Sequence, residues 1–207
     1  MSDEATVFIV DDDEAVRDSL SFLMQSVGLK TESFDSADSF LQASPTQHAG
    51  CLLLDIRMPG MSGLELQGVL EERNIRLPVI FISGHADVPM AVRALKAGAF
   101  DFVEKPFNDQ LLLDCVQRAI EDDRQQRQNE VQLDEWRVLM SSLTPREREV
   151  MALVVDGAAN KVISATLGVS LKTVEAHRAR VMDKLKAKSL SHLVRMSVVL
   201  KAAQKET

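Results

Sequence analysis

Two folds in series are predicted from this chain: a parallel α/β domain over 1–121 and an all-α domain of four helices over 143–207, joined by a helical linker over 122–142. Three observations carry that prediction. Short continuous apolar runs alternate with helix-period segments throughout the first part. The rhythm breaks at DDRQQRQNE (122–130), which is polar and holds neither Gly nor Pro. Beyond it only helical patterns remain, and the sign of the charge reverses.

The first strand is Thr6 to Val10. Val16, Leu20, Leu23, Met24 and Val27 follow at helical spacing, and Gly28 closes that helix. A short strand over 31–34 leads into a helix from about Ser36. Residues 51–54, 79–82 and 100–103 are further apolar strands, as a sheet covered on both faces requires. The last helix of this part uses Leu112, Cys115, Val116, Ala119 and Ile120. Strands alternating with helices specify a parallel sheet with helices on both faces. After the polar break, Leu133, Trp136, Leu139, Met140 and Leu143 resume helical spacing as a connecting helix. Thr144-Pro145-Arg146-Glu147 is a capping box with Pro at the first helical position, and the helix that it opens stops at Gly157. A short helix over 161–167, the turn Gly168-Val169-Ser170, a longer helix over 171–186 and a final helix from Ser189 complete the second domain.

Composition is that of a soluble globular protein, with 45% hydrophobic and 27% charged residues. No apolar run reaches membrane-spanning length, and the acidic MSDEA start is not a secretory leader, so a cytoplasmic protein is expected. Cys51 and Cys115 each sit in an apolar segment and read as two buried thiols. The net charge of −7 hides a division. Residues 1–125 carry 22 Asp and Glu against 10 Lys and Arg, whereas 126–207 carry 9 against 14. Between 159 and 205 only Glu175 and Asp183 oppose 10 Lys and Arg. Such a division suggests an acidic module joined to one that binds a polyanion.

In the acidic half, polar residues fall at the ends of four apolar strands. Asp11 and Asp12 follow the first, Asp55 the third, Ser83 the fourth, and Lys105 lies just past the fifth. An open parallel sheet gathers its strand ends into one cleft, where ligands bind. Three carboxylates brought together repel and want a divalent cation, and hard oxygen donors with room for water favour Mg²⁺. A carboxylate such as Asp55 can then attack phosphorus, Ser83 can hydrogen-bond a phosphoryl oxygen, and Lys105 can pair with the remaining charge.

The segments VDDDEAVR, LLLDIRMPGMSG and ISGHADVPMAVRALKAGAFDFVEKPF resemble the receiver domain of bacterial response regulators. That resemblance implies a flavodoxin-like sheet of strand order 2-1-3-4-5. It implies that Asp55 is the phosphoacceptor, and that Asp11, Asp12, Asp55 and the Arg57 backbone carbonyl hold Mg²⁺. It makes Ser83, Lys105 and Phe102 the phosphate-binding and switch residues, and Lys105-Pro106 a cis step. Ser83 stands where Thr is more frequent, which should alter kinetics more than mechanism. Asp13 extends the acidic pair and reads as a helix N-cap. His85 reads as an exposed loop histidine. A phosphatase of the haloacid dehalogenase type is the enzymatic alternative, but that family places a second Asp two residues beyond its nucleophile, and here the position is Arg57.

In the basic half, the helix over 161–167, the glycine turn and the longer helix form a helix-turn-helix pattern. Val174, Val181 and Leu185 should face a core. Lys172, Thr173, Glu175, Ala176, Ala179 and Arg180 should face outward, with the two alanines allowing close approach to a groove. Lys161, Lys172 and Arg178 suit phosphates, and His177 reads as a partly buried packing residue. The segment LTPREREVMALVVDGAANKVISATLGVSLKTVEAHRARVMDKLKAKSLSHLVRMS resembles the C-terminal domain of LuxR-type regulators. With the receiver in front, the whole chain resembles the FixJ/NarL class, FixJ-like proteins best. The resemblance implies a histidine kinase, double-stranded DNA and RNA polymerase as partners, a homodimer on activation through the last helix, and no enzymatic activity beyond the phosphorylation and dephosphorylation of Asp55, in which Lys105 assists. Glu175 is acidic within the groove-facing row, so base preference does not carry over.

Overall fold

The computed structural model describes residues 5–43, 49–84 and 88–203, and His85 lies outside them. The chain divides into two compact units, Met1–Arg127 and Gln128–Thr207.

The first unit alternates β1 (Thr6–Val10), α1 (Glu14–Ser26), β2 (Lys30–Phe34), α2 (Ala37–Ala43), β3 (Gly50–Asp55), α3 (Gly63–Glu72), β4 (Val79–Ser83), α4 (Val88–Lys96), β5 (Asp101–Glu104) and the start of α5 (Asp109–Ser141). All strand pairs are parallel, in the order β2-β1-β3-β4-β5. This is the expected flavodoxin-like order. Side chains of a strand alternate between faces, and the central strands are apolar on both. Val7, Ile9, Cys51, Leu53, Ile80 and Ile82 pack with Leu20 and Met24 of α1 and with Leu112, Val116 and Ala119 of α5. Phe8, Val10, Leu52, Leu54 and Phe81 pack with Phe40 of α2, Leu66 and Leu70 of α3 and Ala94 of α4. Cys51 and Cys115 are free and buried, as read. Burial pushes the Cys115 thiol up to about 12.

Strand ends differ slightly from the sequence reading. Asp55 and Ser83 close β3 and β4 rather than following them, and β5 begins one residue later than expected. Gly50 opens β3 because nothing larger fits there: a Cβ would lie 1.9 Å from the Thr6 carbonyl oxygen.

Helix α5 is 33 residues long and runs through the whole polar stretch. Asp123 lies within that polar stretch, yet it is not on its solvent face. It is buried, accepts a hydrogen bond from the Gly50 amide at 2.9 Å, and pairs with Arg127 Nε at 2.8 Å.

The second unit contains the last turns of α5, then α6 (Pro145–Val155), α7 (Asn160–Leu167), α8 (Leu171–Lys184) and α9 (Leu190–Ala203). Its core joins Trp136 of α5 to Val150, Val154, Ile163, Val174, Val181, Leu193 and Met196. The Thr144/Glu147 capping box forms as read, with Pro145 in the first turn. Gly168 turns α7 toward α8 with φ +65°, a left-handed conformation that suits glycine. Ser170 caps α8. That helix ends two residues before the expected Lys186, whose φ is +50°. Among the described residues, no helix is long and apolar enough to cross a membrane.

Candidate functional site

The carboxyl ends of β1, β3, β4 and β5 converge because these four strands are sheet neighbours in one direction. Asp11 follows β1 and is buried. Lys105 follows β5 and its side chain is 23% exposed. Its Nζ lies 2.8 Å from Asp11 Oδ2 and 3.1 Å from Asp55 Oδ1, so one ammonium bridges two carboxylates. Asp55 Oδ2 accepts from the Arg57 amide at 2.6 Å, and Asp11 Oδ1 accepts from the Asp13 amide at 2.9 Å. The Arg17 guanidinium crosses from α1 to the Asp11 carbonyl at 2.7 Å. Lys105-Pro106 is cis.

Burial raises the Asp55 carboxyl above the ordinary carboxylate value, and the hydrogen bonds from Lys105 and Arg57 only partly offset it. Burial alone would lower Lys105, but the hydrogen bonds to Asp11 and Asp55 outweigh that and hold its ammonium above its usual value. The cleft thus keeps a lysine charged beside a carboxylate whose charge is incompletely compensated.

The other residues read from sequence fall as follows. Ser83 is buried at the end of β4. Phe102 is half-buried and packs on the core side shared by α3 and α4. Asp12 is exposed, and Asp13 caps α1 through the Ala15 amide at 2.9 Å. Among the described residues no group of three or more His, Cys, Asp or Glu side chains is close enough to hold a metal. The exposed Asp12 side chain therefore forms no such group with those of Asp11 and Asp55.

In the second unit Lys161, Lys172, Glu175, Ala176, Ala179 and Arg180 are exposed, as read. Thr173 is half-buried instead: its hydroxyl lies 2.8 Å from that of Ser170, and its amide donates to Ser170 Oγ at 3.1 Å. Arg178 is also half-buried and donates from Nη1 to Asn160 Oδ1 at 2.8 Å. His177 is half-buried, with its Nδ1 buried and unpartnered. Lys184, counted above among the basic residues, is 2.6 Å from the buried carboxylate of Glu147.

Sequence reading missed Gly63. A Cβ there would lie 2.3 Å from the Asp55 carbonyl oxygen, so the start of α3 presses on the backbone of the site. It also missed Arg17 and Asn160. The glycine directly after the Ser62 cap was the one local signal; the others depend on contacts between elements.

Comparison with known proteins agrees with this geometry. The response regulator receiver domain matches residues 7–117, and the domain of bacterial regulatory proteins of the LuxR family matches 141–197. The chain is 47% identical to nodulation protein W of Bradyrhizobium diazoefficiens over 96% of its length and 88% of that protein's. It is 47% identical to the transcriptional regulatory protein FixJ of Rhizobium meliloti, over 93% of this chain and 95% of the other. Among solved structures the response regulator StyR superposes with a TM-score of 0.81 at 44% identity, covering 94% of this chain and 98% of that one. Receiver domains bind Mg²⁺ at their phosphorylation site. A receiver implies a histidine kinase partner, and a LuxR-type domain implies DNA. The chain therefore belongs to the response regulators that carry a LuxR-type DNA-binding domain, and it is a phosphorylation-controlled regulator of transcription.

Proposed function

We propose that Asp55 receives the phosphoryl group from a phosphohistidine of the partner kinase, and that the phosphorylated receiver pairs with a second copy to place two α8 helices on DNA. The observation that carries this reading is the single ammonium of Lys105 shared between Asp11 and Asp55. A carboxylate oxygen of Asp55 attacks phosphorus, the phosphorus–nitrogen bond to the kinase histidine breaks, and the imidazole takes a proton. Lys105 turns toward the added negative charge, and Ser83, at the end of the adjacent strand, donates its hydroxyl to a phosphoryl oxygen. Phe102 then moves further into the space beside β4, which alters the surface of α4 and β5.

The donor set fits a hard cation: two carboxylates that already converge on one cation, with the Arg57 backbone amide against Asp55. Asp11, Asp12, Asp55 and the Arg57 backbone carbonyl would hold Mg²⁺. Mg²⁺ there supplies charge neutralisation for the transferring phosphoryl group. Beyond the turnover of its own acyl phosphate, in which Lys105 assists, the protein is not an enzyme.

On the DNA side, Glu175, Ala176, Ala179 and Arg180 face base edges, while Lys161, Lys172 and Arg178 meet phosphates and Thr173 supports the start of α8. RNA polymerase is the downstream partner, and the cytoplasm is the compartment. The functional boundaries are a receiver over 1–121, a helical linker over 122–142 and the DNA-binding domain over 143–207.

The test is selection of genomic DNA fragments by the full chain, with and without beryllofluoride and Mg²⁺. Enrichment of a near-palindromic site only with the phosphate mimic is expected. Equal enrichment in both samples overturns the gating, and none in either at low salt overturns the DNA reading.

A further inference from the structure

Helix α8 carries two arginines near its middle that are treated differently. Arg180 is exposed, as expected of a surface cation. Arg178 is half-buried, because it lies on the flank of α8 between the buried Val174 and Val181 on one side and the exposed Glu175 and Ala179 on the other. Its Nη1 donates at 2.8 Å to Oδ1 of Asn160, the first residue of α7, 18 positions earlier in the chain. The bond ties the two helices of the helix-turn-helix together at the end where Lys161 is exposed.

The choice of acceptor is informative. Lys184 and Arg146 each meet a carboxylate that cancels their charge, Glu147 at 2.6 Å and Glu149 at 2.6 Å, whereas Arg148 donates to the neutral Ser141 carbonyl at 3.4 Å. Asn160 is neutral, so it fixes the guanidinium without neutralising it. A guanidinium has five N–H donors in a rigid plane that matches a phosphate. One donor goes to Asn160, and the others stay in a plane whose orientation is now set.

We infer that Asn160 is a positioning residue for DNA binding: its side-chain carbonyl holds the Arg178 guanidinium in the orientation in which the remaining N–H groups grip one backbone phosphate. This inference rests on the DNA reading above. It goes further by assigning a role to a residue on the other helix, and by making the contact independent of base sequence. Pre-ordering a long cation before binding lowers the entropy lost when the contact forms.

The experiment uses the full chain with beryllofluoride and Mg²⁺, and a fluorescent duplex of mixed sequence, about 30 base pairs long, titrated over a range of salt. Mixed sequence suffices because phosphate contacts act on every duplex. Asn160→Ala should weaken binding roughly 3- to 10-fold, as expected for the ordering of one long side chain, and leave the salt slope intact because the charge remains. Arg178→Ala should lower that slope by about one, and adding Asn160→Ala to it should cost nothing more. Asn160→Asp keeps the acceptor but cancels the charge, so it too should weaken binding. Thermal unfolding of each variant checks that the domain stays folded. An unchanged affinity in Asn160→Ala or Asn160→Asp overturns the inference. So does an equal loss in the presence and absence of Arg178, or a salt slope that survives Arg178→Ala, since either result makes the pair a strut between helices. Failure of the unaltered chain to bind the duplex at low salt would instead remove the DNA reading itself.

Discussion

Lys105 in the first unit and Lys184 in the second are both held by carboxylates, yet they do opposite things. Lys184 serves one acid. Its Nζ is 2.6 Å from Glu147 and 3.2 Å from the Ser142 carbonyl. Glu147 also accepts from the Thr144 amide at 2.9 Å, as part of the capping box. With the Lys184 hydrogen bond as the largest cause, the Glu147 carboxyl is pulled down to about 2. Lys105 serves two acids, Asp11 and Asp55, and the Asp55 carboxyl goes up because burial outweighs its share of the lysine. One cation for one anion closes a strut, whereas one cation for two leaves negative charge over. A cleft in the second condition attracts a further cation and keeps a carboxylate oxygen available for chemistry. The chemical groups, an ammonium and carboxylates, are the same in both places, and satisfaction separates a functional site from a structural one.

Exchanging the acids tests this most severely. Asp55→Asn should abolish phosphorylation completely, followed as the mass increase after incubation with a small-molecule phosphodonor and Mg²⁺. Glu147→Gln should leave it unchanged. Labelling of Asp55→Asn would show that another acid in the cleft accepts the phosphoryl group.

Gly63→Ala comes next. The new Cβ would meet the Asp55 carbonyl oxygen at 2.3 Å, and no side-chain rotation relieves a clash with backbone. We expect a loss of about 1–3 kcal/mol, typical of overpacking, together with slower phosphorylation as Asp55 shifts. Gly68→Ala is the control. It lies within α3 with nothing within 4 Å of its would-be Cβ, so it should stabilise by about 0.5–1 kcal/mol. Urea midpoints measure both, and equal behaviour of the two glycines would break the argument for close approach.

These cases show why part of the molecule was readable in advance. Asp11, Asp55, Ser83 and Lys105 stand at ends of apolar strands, and the period of two with the parallel alternation suffices to bring them together. The Thr144–Glu147 box lies within four residues of chain and is a local signal. Nothing local says that Glu147 is buried under Lys184, 37 positions away, or that Arg178 is tied to Asn160. Such pairs depend on how helices cross, which hydrophobic periodicity does not specify. Asp12 illustrates the converse. Adjacent in sequence to Asp11, it is exposed where Asp11 is buried against Lys105, a difference that adjacency alone does not reveal.

A smaller effect is expected at Asp123, the buried acid of the polar stretch. Asp123→Ala leaves the Gly50 amide without its acceptor inside the protein, which costs about 1–3 kcal/mol. Asp123→Asn keeps an acceptor oxygen and should lose less. Arg137→Ala, which breaks only the exposed pair with Asp134, should be close to neutral. A urea titration that ranks Arg137→Ala as the worst of the three would mean that burial does not decide which acids on α5 matter.

The smallest effects are changes of stability with pH, and they carry opposite signs at the two acids. The Glu147 carboxyl is lower in the folded chain than its ordinary value of 4.5, so its contribution is complete above that value and fades as the pH falls toward about 2. Glu147→Gln should therefore melt below the parent chain at pH 7, with the gap closing only in that acid range. Trp136 is the one tryptophan and is buried in the same core, so its fluorescence follows this unit. Asp55 is raised, so the folded state disfavours its charge, and that cost is present at neutral pH and absent below its ordinary value of 3.8. Asp55→Asn should accordingly melt slightly above the parent at pH 7 and converge with it on acidification, followed by circular dichroism of the first unit's transition. If both substitutions shift melting in the same direction at pH 7, the two lysines hold their acids in the same way, and the contrast between strut and site fails.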